Sequence, residues 1–172
     1  NFGDRNHFDE LQASVLAELD NSPNFLAAFA RDCLRYRLPL NAFGLLQKGS
    51  DKRINIKDCL TPVILLARIY ALRHRLPEPS TSERLRLLGD IQEFGRTASR
   101  ELRLAFDQLW QLRFESQSRA HEDLRQVDDF LDLSRLPDLE KQQLKSTLAT
   151  ISTYQNKLSH YFLGLTLEAS RE

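Results

Sequence analysis

Residues 61–76, Thr-Pro-Val-Ile-Leu-Leu-Ala-Arg-Ile-Tyr-Ala-Leu-Arg-His-Arg-Leu, limit what this chain can fold into more than any other stretch. Thr61 followed by Pro62 is a helix-start signal. A threonine hydroxyl can cap, and a proline at the first helical position lacks an N–H that would be unbonded there anyway. Val63, Ile64, Leu65, Leu66, Ala67, Ile69, Tyr70, Ala71 and Leu72 then leave almost no polar face. A helix apolar on all sides is a buried helix, so the other elements are expected to pack around this one. It falls well short of the roughly 20 apolar residues of a membrane span. Arg68 is the one charge inside it, and burying a guanidinium alone would cost several kcal/mol. Arg68 is therefore expected to be largely buried and bonded to a carboxylate or to carbonyls, with Glu83 as a candidate. Both a structural ion pair and a residue facing a cleft fit that expectation.

The remaining periodicities predict helices around this centre. Phe8, Leu11, Val15 and Leu19 give a first helix over 7–19. Ser22-Pro23 repeats the start signal, and Phe25, Leu26, Phe29, Ala30, Cys33 and Leu34 form the stripe of a second helix that Pro39 stops. Residues 42–46 suggest a further turn. Residues 45–47, a Lys-Gly-Ser-Asp-Lys turn and the alternating 53–56 predict a short hairpin that must lean on the helices. Pro77 and Pro79 stiffen a connection to Ser80-Thr81-Ser82-Glu83, a capping box that opens a short helix ending near Gly95. A long helix over 97–124 carries Leu102, Ala105, Phe106, Leu109, Arg113 and Gln117 on one stripe, with Trp110 and Phe114 beside it. An acidic connection at 128–132 leads to a last helix from Pro137 that carries Leu144, Leu148, Ile151, Leu158, Tyr161 and Leu165. The expected fold is one all-α domain over 1–172, a bundle of five or six helices with one short β-hairpin.

Charge narrows function. Twenty-four basic residues balance 24 acidic ones, which argues against a general nucleic-acid or membrane-surface binder. Cys33 and Cys59 lie in apolar helical patterns and read as buried free thiols of a cytoplasmic protein. His7, His74, His121 and His160 lack metal-ligand spacing, no serine sits in a nucleophile elbow, and Gly49-Ser50 opens no phosphate-binding helix. No Asp-x-Asp pair is present to hold catalytic metals, so no catalytic residue and no metal site is expected here. Arg68 and His74, six apart, resemble the Arg-to-His motif of helical ribonucleases of the HEPN class. Arg73-His74-Arg75 also reads as a cationic last turn favoured by the helix dipole. Arg113 and Gln117 are four apart and share a helix face. Either they form a buried network to the 128–132 connection, or they line a polar cleft, with Lys57, Tyr70 or Arg84 nearby, that takes an anionic or amide-bearing group.

Several stretches together carry a family resemblance. They are Ile54-Asn55-Ile56-Lys57, the Pro-led helix with Ala67-Arg68-Ile69-Tyr70-Ala71-Leu72, Ser80-Thr81-Ser82-Glu83-Arg84-Leu85, Leu112-Arg113-Phe114-Glu115-Ser116-Gln117, and residues 136–145. The chain resembles the putative nucleotidyltransferase substrate-binding domain, the helical C-terminal domain of the DUF294 family, over nearly its whole length. The resemblance implies a C-terminal fragment of a longer protein whose upstream domain is nucleotidyltransferase-like and supplies the Gly-Ser and paired aspartates. In many family members cyclic-nucleotide-binding and CBS modules lie further upstream. The parent would be similar to the bacterial uridylyltransferases that modify a nitrogen-signalling regulator, a role in signal transduction. Nucleoside triphosphate and Mg are expected in the parent's catalytic domain and no cofactor in this one.

The family positions matched are Lys57, Arg68, Tyr70, Arg84, Arg113 and Gln117, which the resemblance implies as substrate-binding residues. Ile64-Leu65-Leu66 stands where the family often carries an aspartate, and Ser116 precedes Gln117 where a hydrophobic residue is common. The acceptor, protein or small molecule, and any self-association are left open. The competing expectation is a regulatory, protein-interacting bundle beside a degenerate catalytic domain. The chain also contains no methionine, although bundle cores commonly use it as a gap-filler. The spacing runs one residue short of the family's between Lys57 and Pro62 and between Asp4 and Arg5, the pattern expected if a methionine were missing from each.

Overall fold

Asn55 starts the central helix. Its side-chain oxygen accepts from the N–H of Lys57 at 3.0 Å and of Asp58 at 3.3 Å, and helix α3 then runs Ile56–Arg73. A computed structural model gives this architecture and describes residues 5–22, 24–47, 52–92 and 94–164. In chain order the helices are α1 (Arg5–Asn21), α2 (Phe25–Arg35), α3, α4 (Thr81–Leu88), α5 (Arg96–Glu122) and α6 (Asp138–Leu163). Strand β1 (Arg53–Asn55) precedes α3; strand β2 (Phe130–Asp132) and a 3₁₀ turn (Leu133–Arg135) precede α6. The fold is mostly α, as expected, with one two-stranded antiparallel ribbon.

Helix α3 packs against α2, α4, α5 and α6, with Val63, Leu66, Ala67 and Ile69 wholly shielded. Each such aliphatic side chain larger than alanine contributes about 2 kcal/mol by leaving water. Leu102 and Leu109 of α5 and Leu144, Leu148, Ile151 and Leu158 of α6 complete that core. Cys33 and Cys59 are buried and free. Burial pushes both thiols up to about 12, with the charge of Asp58 adding to the effect at Cys59. Buried Gln155 of α6 donates to the carbonyls of Cys33 and Tyr36 at 3.1 and 3.0 Å and so closes the open end of α2. Leu11 and Val15 of α1 are exposed; the helical spacing there does not mark a buried stripe.

Several expectations are corrected. Helix α3 begins six residues before Pro62, because Asn55 is a good cap and hands the strand straight into the helix. Pro62 therefore lies inside the helix, and the Thr61 hydroxyl bonds the Lys57 carbonyl at 2.9 Å. The Asp4–Arg5 junction lies outside the described residues. Arg68 is exposed, and it makes no ion pair with Glu83, which bonds Arg86 instead. Lys57, Thr61, Ile64, Leu65, Arg68 and Leu72 form one helical stripe that no element covers completely. Its aliphatic members hid that open side from a reading of hydrophobicity alone.

The ribbon is not a local hairpin. Strand β1 pairs antiparallel with β2, in the register Arg53↔Asp132, Ile54↔Leu131 and Asn55↔Phe130. Leu46 instead bridges Leu40, and the turn at 48–51 lies outside the described residues. Half of the capping box forms: Ser80 accepts from the Glu83 N–H at 3.5 Å, while Glu78 takes the Ser80 N–H at 2.8 Å. Helix α4 stops at Leu88, short of Gly95.

Candidate functional site

Helix α5 ends after Glu122, and the chain turns back along it. Leu124 takes a positive φ of 54°, and the Arg125 N–H returns to the Ala120 carbonyl at 2.8 Å. The segment that follows is fastened to three elements. Asp129 accepts from Arg113 through Nε at 2.8 Å and through a second guanidinium nitrogen at 2.6 Å, and from Gln117 at 3.3 Å. The Asp129 carbonyl takes the N–H of Ile56, the first residue of α3, at 2.9 Å. Ser116 donates to the Phe130 carbonyl at 3.3 Å, and Leu133 to the Lys52 carbonyl at 3.0 Å. Arg113 and Gln117 thus form the network to the 128–132 connection, and the polar half of the α5 stripe is the clamp on the ribbon.

Between α5, the ribbon and this returning segment lies a cleft of about 390 Å³, within the size range of small-ligand sites. Arg53, Ser116, Arg119, Arg125, Asp128, Asp132 and Arg135 supply its polar lining. The charges pair off. Arg53 bonds Asp128 and stacks on the Phe130 ring, 4.9 Å from its centroid. Arg119 meets Glu115 at 3.5 Å; Arg125 and Arg135 reach Asp123 at 3.0 and 3.3 Å; and Arg135 also lies 3.6 Å from Asp132.

These partners keep the aspartates ionised. At Asp128 partial burial pushes upward, but the Arg53 hydrogen bond and the Phe130 N–H outweigh it and hold the carboxyl below its ordinary value. The Ser134 hydroxyl and N–H hold Asp132 down, and Arg125 with Arg135 holds Asp123 down. The cleft is therefore a set of fixed donors and acceptors, able to bind a polar ligand by exchanging internal partners for ligand atoms. On the other side of the ribbon, Arg37, Asn41, Gln47, Asn55 and Asp58 edge a more open hollow of about 630 Å³.

The six residues singled out from sequence lie in different places. Arg113 and Gln117 are together behind the cleft wall. Lys57 is exposed in the first turn of α3, next to the Ile56–Asp129 link. Arg68 and Arg84 are neighbours across α3 and α4. Burial and the like charge of Arg68 hold Arg84 below its ordinary value against the pull of Glu78, and the Arg84 Nε is shielded with no acceptor. Tyr70 is buried among Phe94, Phe162 and Tyr161, at ring separations of 5.0, 5.7 and 6.3 Å. The cleft-lining Arg53, Asp128, Asp132 and Arg135 were not visible in sequence as a group, because a contact between residues 53 and 128 leaves no local periodicity. The acidic connection at 128–132 was the local signal for two of them, and the Asp132–Ser134 turn emerges only in the fold.

Among the described residues, no group of three or more His, Cys, Asp or Glu could hold a metal, and no helix is long and apolar enough to cross a membrane. The sequence model of one protein family, described as putative nucleotidyltransferase substrate binding domain, matches residues 23–162. No curated protein and no solved structure matches the chain.

Proposed function

The chain belongs to the putative nucleotidyltransferase substrate binding domain family, and on that premise we propose that it holds the acceptor for a nucleotidyltransferase-like domain upstream in the same protein. The family match over residues 23–162 carries this reading. The cleft on α5 supports it: a small-molecule-sized, charged hollow whose guanidiniums and carboxylates stand ready as donors and acceptors. In this reading nucleoside triphosphate, Mg and the metal-holding carboxylates belong to the upstream domain. The parent acts as a uridylyltransferase-like signalling protein, and this domain alone transfers nothing.

Within the domain, Arg113 and Gln117 position the cleft wall through Asp129, while Arg68 and Arg84 offer a second contact for an anionic part of the acceptor. Lys57 extends that open stripe of α3, and Tyr70 anchors the helix that carries Arg68. The test is direct. The purified 172-residue chain, given labelled nucleoside triphosphate and Mg, is expected to release and transfer no label, whereas the full-length protein labels its acceptor. Turnover by the chain alone would overturn the reading.

One observation favours a second reading, a regulatory interaction bundle: Leu104, Trp110 and Phe114 are exposed on one side of α5. Full-length protein that labels no acceptor, while a Phe114→Ala change abolishes binding of a protein partner, would favour it.

A further inference from the structure

We propose that the hollow between the end of α4 and the first half of α5 is a binding site for a small ligand carrying several phosphate groups, held by Arg86, Arg96, Arg100 and Arg103. It is separate from the cleft described above and encloses about 440 Å³. Its lining holds those four arginines and one carboxylate, Asp90. Residues 96, 100 and 103 follow helical spacing, so their side chains leave α5 on one face over about 10 Å of helix. Arg86 faces them from α4. The two helices are locked where the hollow begins: Ser99 donates to the Leu85 carbonyl at 2.6 Å, and a Cβ at Gly89 would meet Ser99 at 2.9 Å.

What distinguishes this cluster is how little of its charge is answered from within. In the first cleft each arginine has a carboxylate partner. Here Arg86 is held by Glu83 at 2.6 Å, and exposed Arg96 lies 3.6 Å from Asp90. Arg100 and Arg103 make no hydrogen bond or close ion pair to any described residue, Arg103 being answered only at longer range by the Glu83 carboxylate that Arg86 already holds, and the Arg103 Nε is shielded from water without an acceptor. One cation, Arg96, also occupies the first turn of α5, a helix with no acidic residue in that turn and no side-chain cap. A cation there opposes the helix dipole, and with Asp90 at 3.6 Å as its one carboxylate neighbour the site favours a further anion.

The chemistry selects the anion. Guanidinium forks match phosphate oxygens in pairs, and a 10 Å row of them suits a chain of phosphates better than a single one. The hollow is of small-ligand size, and a helix some 10 Å across would not enter it. Trp110, the chain's one tryptophan, follows Arg103 by seven residues on the same face of α5 and is partly exposed with the Arg113 guanidinium 4.9 Å from its ring centroid, so it can report a base that reaches past the phosphates and disturbs that contact.

The experiment is calorimetric titration of the chain with inorganic tripolyphosphate and, separately, with a nucleoside triphosphate, both without metal and at low salt. Saturable binding is expected, weakened at least about tenfold in an Arg100→Gln/Arg103→Gln double variant that keeps its melting temperature. It should be unchanged in an Arg119→Gln/Arg125→Gln control. Equal affinity for the two probes identifies the phosphate chain as the whole determinant. Tighter binding of the nucleotide with quenching of Trp110 identifies a nucleotide as the source. Absence of saturable binding, binding that survives the double variant, or equal loss in the control would overturn the proposal.

Discussion

Arg113 shows what a single side chain does here. It reaches Asp129 through two nitrogens, and both side chains are about three-quarters shielded. Removing it strands a largely shielded carboxylate, so Arg113→Ala should cost about 2 kcal/mol and lower the melting temperature by about 4–8 °C. Gln117 makes longer bonds, 3.3 and 3.4 Å, and Gln117→Ala should cost less than about 1 kcal/mol. An unchanged melting temperature for Arg113→Ala, with impaired acceptor use by the full-length protein, would instead make it a direct contact.

Protonation acts on the same segment. Asp128 and Asp132 titrate below their unfolded values, so the stability they contribute is fully present above about pH 4 and is lost as pH falls through their folded values. Melting temperature should hold level from about pH 7 to 5 and drop below about 4. Asp132→Asn should flatten that drop; an identical acid profile in the variant would show that Asp132 is not among the groups responsible. At this scale the sequence was legible where partners are near in the chain and opaque where they are not. The spacing of Arg113 and Gln117 exposed a polar face on an inward stripe and pointed at the 128–132 connection. Nothing in it could show that Arg53 would meet Asp128, 75 residues away.

Elements were legible by period and misread at their joins. All six helices lie where the apolar spacing put them. Helix α3 started early, because an asparagine cap six residues upstream offered a better start than Thr61-Pro62. The ribbon found its second strand beyond α5, because strand pairing follows packing rather than proximity in sequence. The thiols test the α2–α3 interface. Burial holds both protonated well past neutrality, so at about pH 8 neither should react with a thiol reagent in the native chain, and both should react after denaturation. Fast native labelling of Cys33 would mean that α2 opens. Gln155→Leu should loosen the same helix, since it leaves two carbonyls at the end of α2 without their donor. Hydrogen exchange should then quicken in α2 and remain slow in α5.

At the scale of the molecule, a helical bundle carries a charged cleft formed by its long fifth helix and a ribbon clamped to it. The family places such a domain on the substrate side of a nucleotidyltransferase. The measurement that bears most directly on this is transfer of labelled nucleotide by the full-length protein across a series of acceptor concentrations. It would compare the native sequence with an Arg119→Gln/Arg135→Gln variant of the cleft. An acceptor KM raised about tenfold or more is expected, with kcat and the nucleotide KM nearly unchanged, because the variant removes acceptor binding and leaves the proposed upstream chemistry intact. An unchanged acceptor KM in that variant, or transfer by the 172-residue chain on its own, would contradict it.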